Sequence, residues 1–189
     1  MIDINTIHVI DDVIPKMYQE AIKAELFGAK MAWRYMDEAT GRGYGDPAMS
    51  HIFFSKKQNH ASEQWDFVAP LLYTAVDKID FNIRDIIQAR SFLQFPLREE
   101  LTIKSPIHID MAQEHLVVLY YVNDSDGPTK LYKNTTDTTH PDWGSKITGD
   151  PIKIVDPKQG RVVIFNGKRF HAGSYPTKDV RCIINFNVI

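Results

Sequence analysis

The chain has 189 residues, of which 43% are hydrophobic. That is enough material for one sizeable core, and we expect a single domain over residues 1–189. Its 22 Lys and Arg residues against 24 Asp and Glu leave a net charge of −2, so no global field would draw it to nucleic acid or to an anionic membrane.

Cysteine content and the first residues of the chain bear on its compartment. The single cysteine, Cys182, excludes an internal disulfide and is typical of a reducing environment. Residues 1–16 carry acidic groups where a secretory signal has positive charge. No apolar run approaches the roughly 18 residues of a membrane-spanning helix. We therefore expect a cytoplasmic protein without a membrane segment.

Two amphipathic helices are predicted in the front of the chain. The first covers PKMYQEAIKAELFG, residues 15–28, because a proline opens it, a glycine closes it and apolar residues recur at three-to-four spacing. The second covers residues 65–87 on the same spacing. Between them, residues 36–62 predict a long loop of the kind that often covers a site, on the evidence of Gly41, Gly43, Gly45 and Pro47.

From residue 89 onward the sequence is typical of short strands separated by turns. The runs ARSFLQF, HLVVLYYV, RVVIFNG and VRCIINFNVI are rich in β-branched and aromatic residues. We expect an α+β domain in which residues 1–88 form a mainly helical front and residues 89–189 form a double-stranded β-helix, or jelly roll. The mouth of such a fold collects side chains from strands that are far apart in sequence.

One pattern of residues points to chemistry. His108 and Asp110 are separated by a single residue, and His171 is followed ten residues later by Arg181. Two imidazoles and one carboxylate hold a non-haem Fe(II) on one face and leave positions open for other ligands. A planar, permanently charged arginine suits a cosubstrate that bears a carboxylate.

The same residues carry a family resemblance. HID, VVLYYVNDSDGPTKLY and DPKQGRVVIFNGKRFHAGSYPTKDVRCIINFNV resemble the Fe(II)/2-oxoglutarate-dependent oxygenases, specifically the prolyl 4-hydroxylase-like branch with phage and bacterial members. The resemblance covers residues 89–189. It implies a jelly roll with N-terminal supporting helices, with Fe(II) as cofactor and 2-oxoglutarate and dioxygen as cosubstrates. It is also compatible with ascorbate.

The resemblance implies a role for each matching residue. The iron ligands, which are also the catalytic residues, are His108, Asp110 and His171. Arg181 would bind the C5 carboxylate of 2-oxoglutarate, Tyr121 would hydrogen-bond the cosubstrate and Thr129 would line the same pocket.

Several of these residues have a plain structural alternative. Tyr121 could be ordinary core, because aromatic residues are favoured in strands. His115 is better explained as a residue at a strand start than as a fourth ligand, since a further ligand would obstruct the reaction. Cys182 is expected to be a small packed hydrophobe on the strand face opposite Arg181.

Three functions remain open on the sequence. The first is hydroxylation of a peptidyl or free amino acid such as proline. The second uses the same cofactors on a nucleobase or small metabolite, and the third is a non-catalytic metal-binding jelly-roll module. Residues 36–62 and 133–150 are the segments expected to choose the substrate. We expect a monomer or homodimer that binds a peptide or small molecule and neither nucleic acid nor membrane.

Overall fold

The computed structural model describes residues 5–40, 46–97, 106–136 and 146–189. The elements within these ranges are β1 (His8–Ile10), α1 (Lys16–Leu26), β2 (Arg34–Met36), β3 (Ala48–Ser55), β4 (His60–Ala61), α2 (Trp65–Asp77), β5 (Ile86–Gln94), β6 (Leu116–Tyr121), β7 (Thr129–Thr135), β8 (Lys153–Val155), β9 (Val162–Asn166), β10 (Arg169–Gly173) and β11 (Arg181–Val188).

The strands form two antiparallel sheets. The major sheet has the order β1-β9-β6-β11-β5-β3-β2, with β4 paired to β3. The minor sheet has the order β10-β7-β8. Neighbours along β1-β9-β6-β11-β5 are distant in sequence, as in a jelly roll, where strands reach their partners through long connections. The predicted α+β jelly roll with supporting helices is confirmed.

Successive side chains of the central strands point to opposite faces of the major sheet, so this sheet has a hydrophobic core on each face. In register, Ile164 of β9 lies opposite Val118 of β6, which lies opposite Phe186 of β11. This layer belongs to an outer core that also contains Ile22 and Leu26 of α1 together with Val68, Leu71, Leu72 and Ala75 of α2. The other side chains of these strands face the minor sheet. There Val117, Leu119, Tyr121, Val163, Phe165 and Ile183 pack with Leu131 and Val155 of the minor sheet to form an inner core. The helices therefore cover one face of the major sheet, and the other face is left for the site.

The two helices match their predicted starts but not both predicted ends. Helix α1 lies within residues 15–28 as expected. Helix α2 ends at Asp77, ten residues before the predicted end. The Phe81 backbone N–H donates to the Val76 carbonyl at 3.1 Å, which closes the helix with a turn that includes Asp80 at a φ of 53°. Neither helix of the described ranges has the length and apolar character needed to cross a membrane.

The front of the chain contains more strand than predicted. Residues 48–55, expected to be loop, form β3, which lies between β5 and β2 in the major sheet. Phe53 of this strand is fully buried in the outer core, so burial of its apolar side chains outweighs the neighbouring turn signals. Gly41, Gly43 and Gly45, which prompted the loop prediction, lie outside the described residues.

Candidate metal and cosubstrate site

A cavity of about 220 Å³ opens between the two sheets. Its walls come from β5 and β11 on the major sheet, from β7 and β10 on the minor sheet, and from the segment that precedes β6. The lining includes five of the six residues predicted for the site: His108, Asp110, Thr129, His171 and Arg181.

Backbone pairing brings the predicted metal ligands together. The His108 N–H donates to the His171 carbonyl and the His171 N–H donates to the His108 carbonyl, both at 2.9 Å. The segment that contains Asp110 therefore lies beside β10. The Nε2 atoms of His108 and His171 lie 3.7 and 3.5 Å from Asp110 Oδ1. One ligand atom from each residue falls within 4.8 Å of the others, as a bound metal ion requires.

Hydrogen bonds set the tautomer of both histidines. The Nδ1 atom of His108 lies 2.9 Å from the Pro106 carbonyl, and that of His171 lies 3.0 Å from the Arg169 carbonyl. A carbonyl only accepts hydrogen bonds, so we assign the ring proton to Nδ1 in each case. Each Nε2 then faces Asp110, in the position from which it would offer a lone pair to a metal. Metal-binding histidines are oriented in the same way by a partner of their second ring nitrogen.

Asp110 is held as a carboxylate with one free oxygen. Its Oδ2 accepts hydrogen bonds from the side-chain amides of Asn185 and Asn187, each at 2.8 Å. Burial alone would raise the pKa of Asp110, but the contact with His171 and nearby positive charge, including Arg90, hold that pKa well below its usual range. Oδ1 remains directed at the histidines. The set of two neutral imidazoles and one carboxylate fits Fe(II).

Arg181 is a buried cation with neutral partners. Only 3% of its surface is exposed. Nε donates to the Gly127 carbonyl at 2.8 Å, Nη1 to Gln94 Oε1 at 2.9 Å and Nη2 to Thr129 Oγ1 at 2.9 Å. No carboxylate of the described ranges lies within 4.0 Å of this guanidinium. Among the described residues this buried charge is uncompensated, and a bound anion would balance it.

Thr129 and Tyr121 have different positions relative to the cavity. Thr129 Oγ1 accepts hydrogen bonds from Arg181 and, at 2.7 Å, from the Tyr121 hydroxyl. With both acceptor positions used, the Thr129 proton is free to be donated to a ligand. Thr129 lines the cavity, whereas the fully buried Tyr121 lies behind it. Tyr121 therefore contacts Thr129 and does not itself line the cavity, and its predicted contact with the cosubstrate stays a prediction.

Sequence reasoning missed the polar residues that support this site. Asn185, Asn187, Gln94 and Arg90 hold or surround the predicted residues, yet none was singled out. A signal for the asparagines exists, because positions 185 and 187 follow Arg181 at even spacing and must share its strand face. Cys182 lies in the outer core on the opposite face, as predicted.

His115 is not part of the cluster. Its ring packs against the backbone of Gly167, and its Nδ1 lies 2.8 Å from the Gln113 carbonyl. Burial lowers the pKa of His115. The residue is therefore neutral and packed, which agrees with its structural interpretation.

Solved structures resemble this fold closely, although neither a protein-family model nor a curated protein sequence matches the chain. The carbocyclase SnoK from nogalamycin biosynthesis, described as non-heme and alpha-ketoglutarate dependent, matches 98% of this chain and 79% of its own, with a TM-score of 0.66 and 13% identity. A Trichoplax adhaerens prolyl hydroxylase, solved with a peptide of hypoxia inducible factor, matches 98% of this chain over 84% of its own length, with a TM-score of 0.62 and 14% identity. The chain shares the fold of these oxygenases.

A third match extends the comparison to a ligand-bound structure. HygX from Streptomyces hygroscopicus, solved with nickel and 2-oxoglutarate bound, matches 98% of this chain and 83% of its own. Its TM-score is 0.61 and its identity to this chain is 11%. At such identities the similarity is one of fold, and the activity of this chain has to be argued from its own residues.

Proposed function

We propose that the protein is an Fe(II)- and 2-oxoglutarate-dependent dioxygenase that hydroxylates an unactivated C–H bond, in the first instance of a peptidyl or free amino acid such as proline. One observation carries the proposal. A single cavity contains both the His108, Asp110 and His171 cluster and a buried arginine that has no carboxylate partner among the described residues. The first matches a metal that keeps open positions, and the second matches a dicarboxylate.

The protein's own groups would divide the work as follows. His108, Asp110 and His171 would hold Fe(II), with the Pro106 and Arg169 carbonyls keeping the rings in the binding tautomer. When bound there, iron would couple the decarboxylation of 2-oxoglutarate to the activation of dioxygen. On the inner face, Leu119 and Ile183 line the same cavity and would exclude water from it.

The distal carboxylate of 2-oxoglutarate would bind at the other end of the cavity. Arg181 provides a guanidinium whose direction is fixed by Gly127 and Gln94, and Thr129 provides a hydroxyl proton. A β-carbon at position 127 would lie only 3.0 Å from Arg181 Cδ, so a glycine there leaves the room that the arginine needs. An arginine positioned before binding loses little freedom when the carboxylate arrives.

The structural neighbours support the cofactors and leave the substrate open. SnoK is described as alpha-ketoglutarate dependent, and HygX was solved with 2-oxoglutarate. The Trichoplax enzyme binds a peptide, which supports a peptidyl substrate, whereas SnoK belongs to the biosynthesis of nogalamycin, which supports the alternative of a small metabolite. A non-catalytic metal-binding module would have no need of the buried charge of Arg181.

The activity can be tested before the substrate is known. Protein loaded with Fe(II) and supplied with 2-oxoglutarate, air and a mixture of free amino acids is expected to form succinate, measured by mass spectrometry. Succinate formation should stop on chelation of the metal and in His171→Ala, and it should continue in the control His60→Ala, which changes an exposed histidine of β4. Absence of succinate from protein that retains its iron and binds 2-oxoglutarate would exclude free amino acids, and absence of 2-oxoglutarate binding itself would favour the non-catalytic module.

A further inference from the structure

The cavity contains a second arginine that the cofactors do not use. Arg90 lines the cavity from β5. In the register of the sheet it lies opposite Asn185, whose amide holds Asp110, while Gln94 lies opposite Arg181. Four residues of strand separate the two levels, or roughly 13 Å along β5. Arg90 is therefore level with the metal cluster, and Arg181 is at the far end.

The Arg90 side chain is fixed without an ion pair. Its guanidinium carbon lies 5.2 Å from the centre of the Phe92 ring. With the Gln88 amide turned so that its oxygen faces the guanidinium, that oxygen accepts from Nε at 2.7 Å and from Nη2 at 2.9 Å. No carboxylate in the described parts of the chain lies within 4.0 Å of it. Burial lowers the pKa of Arg90, so the positive charge is held in a place that disfavours it.

Asn185 adds an acceptor beside this charge. Its Nδ2 donates to Asp110, but its Oδ1 is buried and has no hydrogen-bond partner among the residues that the structure describes. Asn185 is 6% exposed and lines the cavity. A buried acceptor without a partner is costly, so such groups in native structures call for a specific explanation. A donor on a bound ligand would satisfy Oδ1.

The charges in the cavity leave Arg90 without a negative partner once the metal and the cosubstrate are bound. An Fe(II) ion, the Asp110 carboxylate, the 2-oxoglutarate dianion and Arg181 together carry no net charge, so the charge of Arg90 is surplus. Asp46 also lines the cavity, but its carboxylate accepts hydrogen bonds from Thr40 at 3.1 and 3.2 Å. Asp46 lies beyond 4.0 Å from both arginines. Among the described residues no carboxylate is left to pair with Arg90, whereas a carboxylate of the substrate would pair with it.

We propose that the substrate is a free α-amino acid, an inference that rests on the proposed function. Its carboxylate pairs locally with Arg90, and its ammonium group, charged near neutral pH, donates to Asn185 Oδ1; the molecule as a whole adds no net charge to the cavity. Both partners are level with the metal cluster, so the side chain of such a substrate lies beside the metal. A residue inside a peptide offers Arg90 only a neutral carbonyl and leaves the charge uncompensated. The same cavity therefore favours free amino acids over peptides.

Binding of L-alanine to the full chain tests this proposal without turnover. L-Alanine contains the amino and carboxylate groups that the proposal requires, and L-alaninamide replaces the carboxylate by a neutral amide. With Mn(II) as the metal and 2-oxoglutarate at saturation, broadening of the methyl proton signal reports binding near the metal. Wild-type protein is expected to bind L-alanine about tenfold or more tightly than L-alaninamide, since a charge-assisted hydrogen bond is lost.

Variants of Arg90 connect this preference to the residue. Arg90→Gln should remove the preference, and Arg90→Lys should keep part of it because the charge remains. Arg84→Gln, which changes an exposed arginine outside the cavity lining, should leave it intact. Equal binding of the two probes in the wild type, or an unchanged preference in a folded Arg90→Gln, would overturn the proposal.

Cosubstrate binding, measured first on the same samples, separates this proposal from the one on which it rests. If wild-type protein with bound metal fails to bind 2-oxoglutarate, the proposed function is wrong. If it binds 2-oxoglutarate and shows no preference for L-alanine, only the substrate class is wrong. Weaker 2-oxoglutarate binding in Arg90→Gln, with the L-alanine preference retained, would assign Arg90 to the cosubstrate and also overturn the proposal.

Discussion

The two faces of strand β11 are equally buried and chemically opposite. Towards the helices it presents Cys182, Ile184, Phe186 and Val188, which belong to the outer core. Towards the minor sheet it presents Arg181, Ile183, Asn185 and Asn187. All eight residues are buried. Burial therefore does not distinguish core from site in this protein. The site differs from the core in its buried polar groups, which have hydrogen-bonding atoms or a charge that the described residues do not satisfy.

The two faces should contribute differently to stability and to function. The outer face removes apolar surface from water, which is the main favourable term in folding. The inner face buries an arginine and two amides that are partly matched by Gln94, Thr129 and Asp110, and burial of polar groups contributes little net stability. Mutations on the inner face should change ligand binding, and mutations on the outer face should change folding.

The largest effect is expected at the metal cluster. Asp110→Ala removes the only carboxylate ligand of the proposed set, so iron binding and turnover should be lost while the domain remains folded. Metal content and circular dichroism would measure the two properties. The matched control is Asp66→Ala, which changes an exposed aspartate of α2. Iron binding at wild-type affinity in Asp110→Ala would remove this residue from the site.

The outer face is expected to show the largest effect on stability. Phe186 is fully buried between the sheet and the helices, so Phe186→Ala should lower the free energy of unfolding by about 3–5 kcal/mol. Denaturant titration would measure the change, with Phe95→Ala as a control because Phe95 is 55% exposed. The folded fraction of Phe186→Ala should bind 2-oxoglutarate normally. A loss of affinity there would contradict the division between the faces.

A change in 2-oxoglutarate affinity, smaller than the loss of iron binding in Asp110→Ala, is expected at Arg181. Arg181→Ala should weaken 2-oxoglutarate binding by about 1.5–3 kcal/mol, because the carboxylate loses a charge-assisted partner. Arg181→Lys should fall between the alanine variant and the wild type, since it keeps the charge but not the fork. Calorimetric titration of metal-loaded protein would compare them, with Arg84→Ala as the control. Unchanged affinity in Arg181→Ala would exclude the residue from cosubstrate binding.

The smallest effect on stability is expected at Asp126, an exposed residue whose carboxylate accepts hydrogen bonds from the turn that precedes β11. Burial opposes the ionisation of Asp126, but the hydrogen bonds from Thr177, Lys178 and Asp179 together outweigh it and lower its pKa to about 2. The ionised form therefore stabilises the folded state above the ordinary pKa of 3.8, and this contribution is lost as the pH falls through about 2. Asp126→Asn should lower the free energy of unfolding at pH 6 by no more than about 1 kcal/mol.

The pH dependence of that difference is the check. Denaturant titrations of wild type and Asp126→Asn between pH 6 and acid should show a gap that narrows below about pH 4. A gap that stays constant with pH would mean that the carboxylate does not stabilise this turn. Neither face of β11 is altered by the substitution, so 2-oxoglutarate affinity should not change.

Much of the fold and the central cluster could be predicted because the signals are local. The runs that became β5, β6, β9 and β11 carry β-branched or aromatic residues between turn signals, and each lies within one to three residues of its predicted place. The spacing of His108, Asp110, His171 and Arg181 needs no knowledge of pairing. The structure brings all four into one cavity, as the sequence predicted.

The parts that sequence reasoning missed depend on pairing between strands. Strand β3 was hidden because its neighbours Gly45 and Pro47 signal a loop, while its burial comes from lying between β5 and β2. Asn185 and Asn187 have the period of a strand, but the period does not say which face meets Asp110. Arg90 becomes informative only when β5 is placed next to β11.

Anaerobic titration of Fe(II)-loaded protein with 2-oxoglutarate tests the central claim most directly. Bidentate binding of the cosubstrate to the metal produces a weak visible charge-transfer band. We expect the band in the wild type, the same band at higher 2-oxoglutarate concentration in Arg181→Ala, and no band in Asp110→Ala. Wild-type protein that retains its iron and develops no band at saturating 2-oxoglutarate would contradict the assignment of this cavity to an oxygenase.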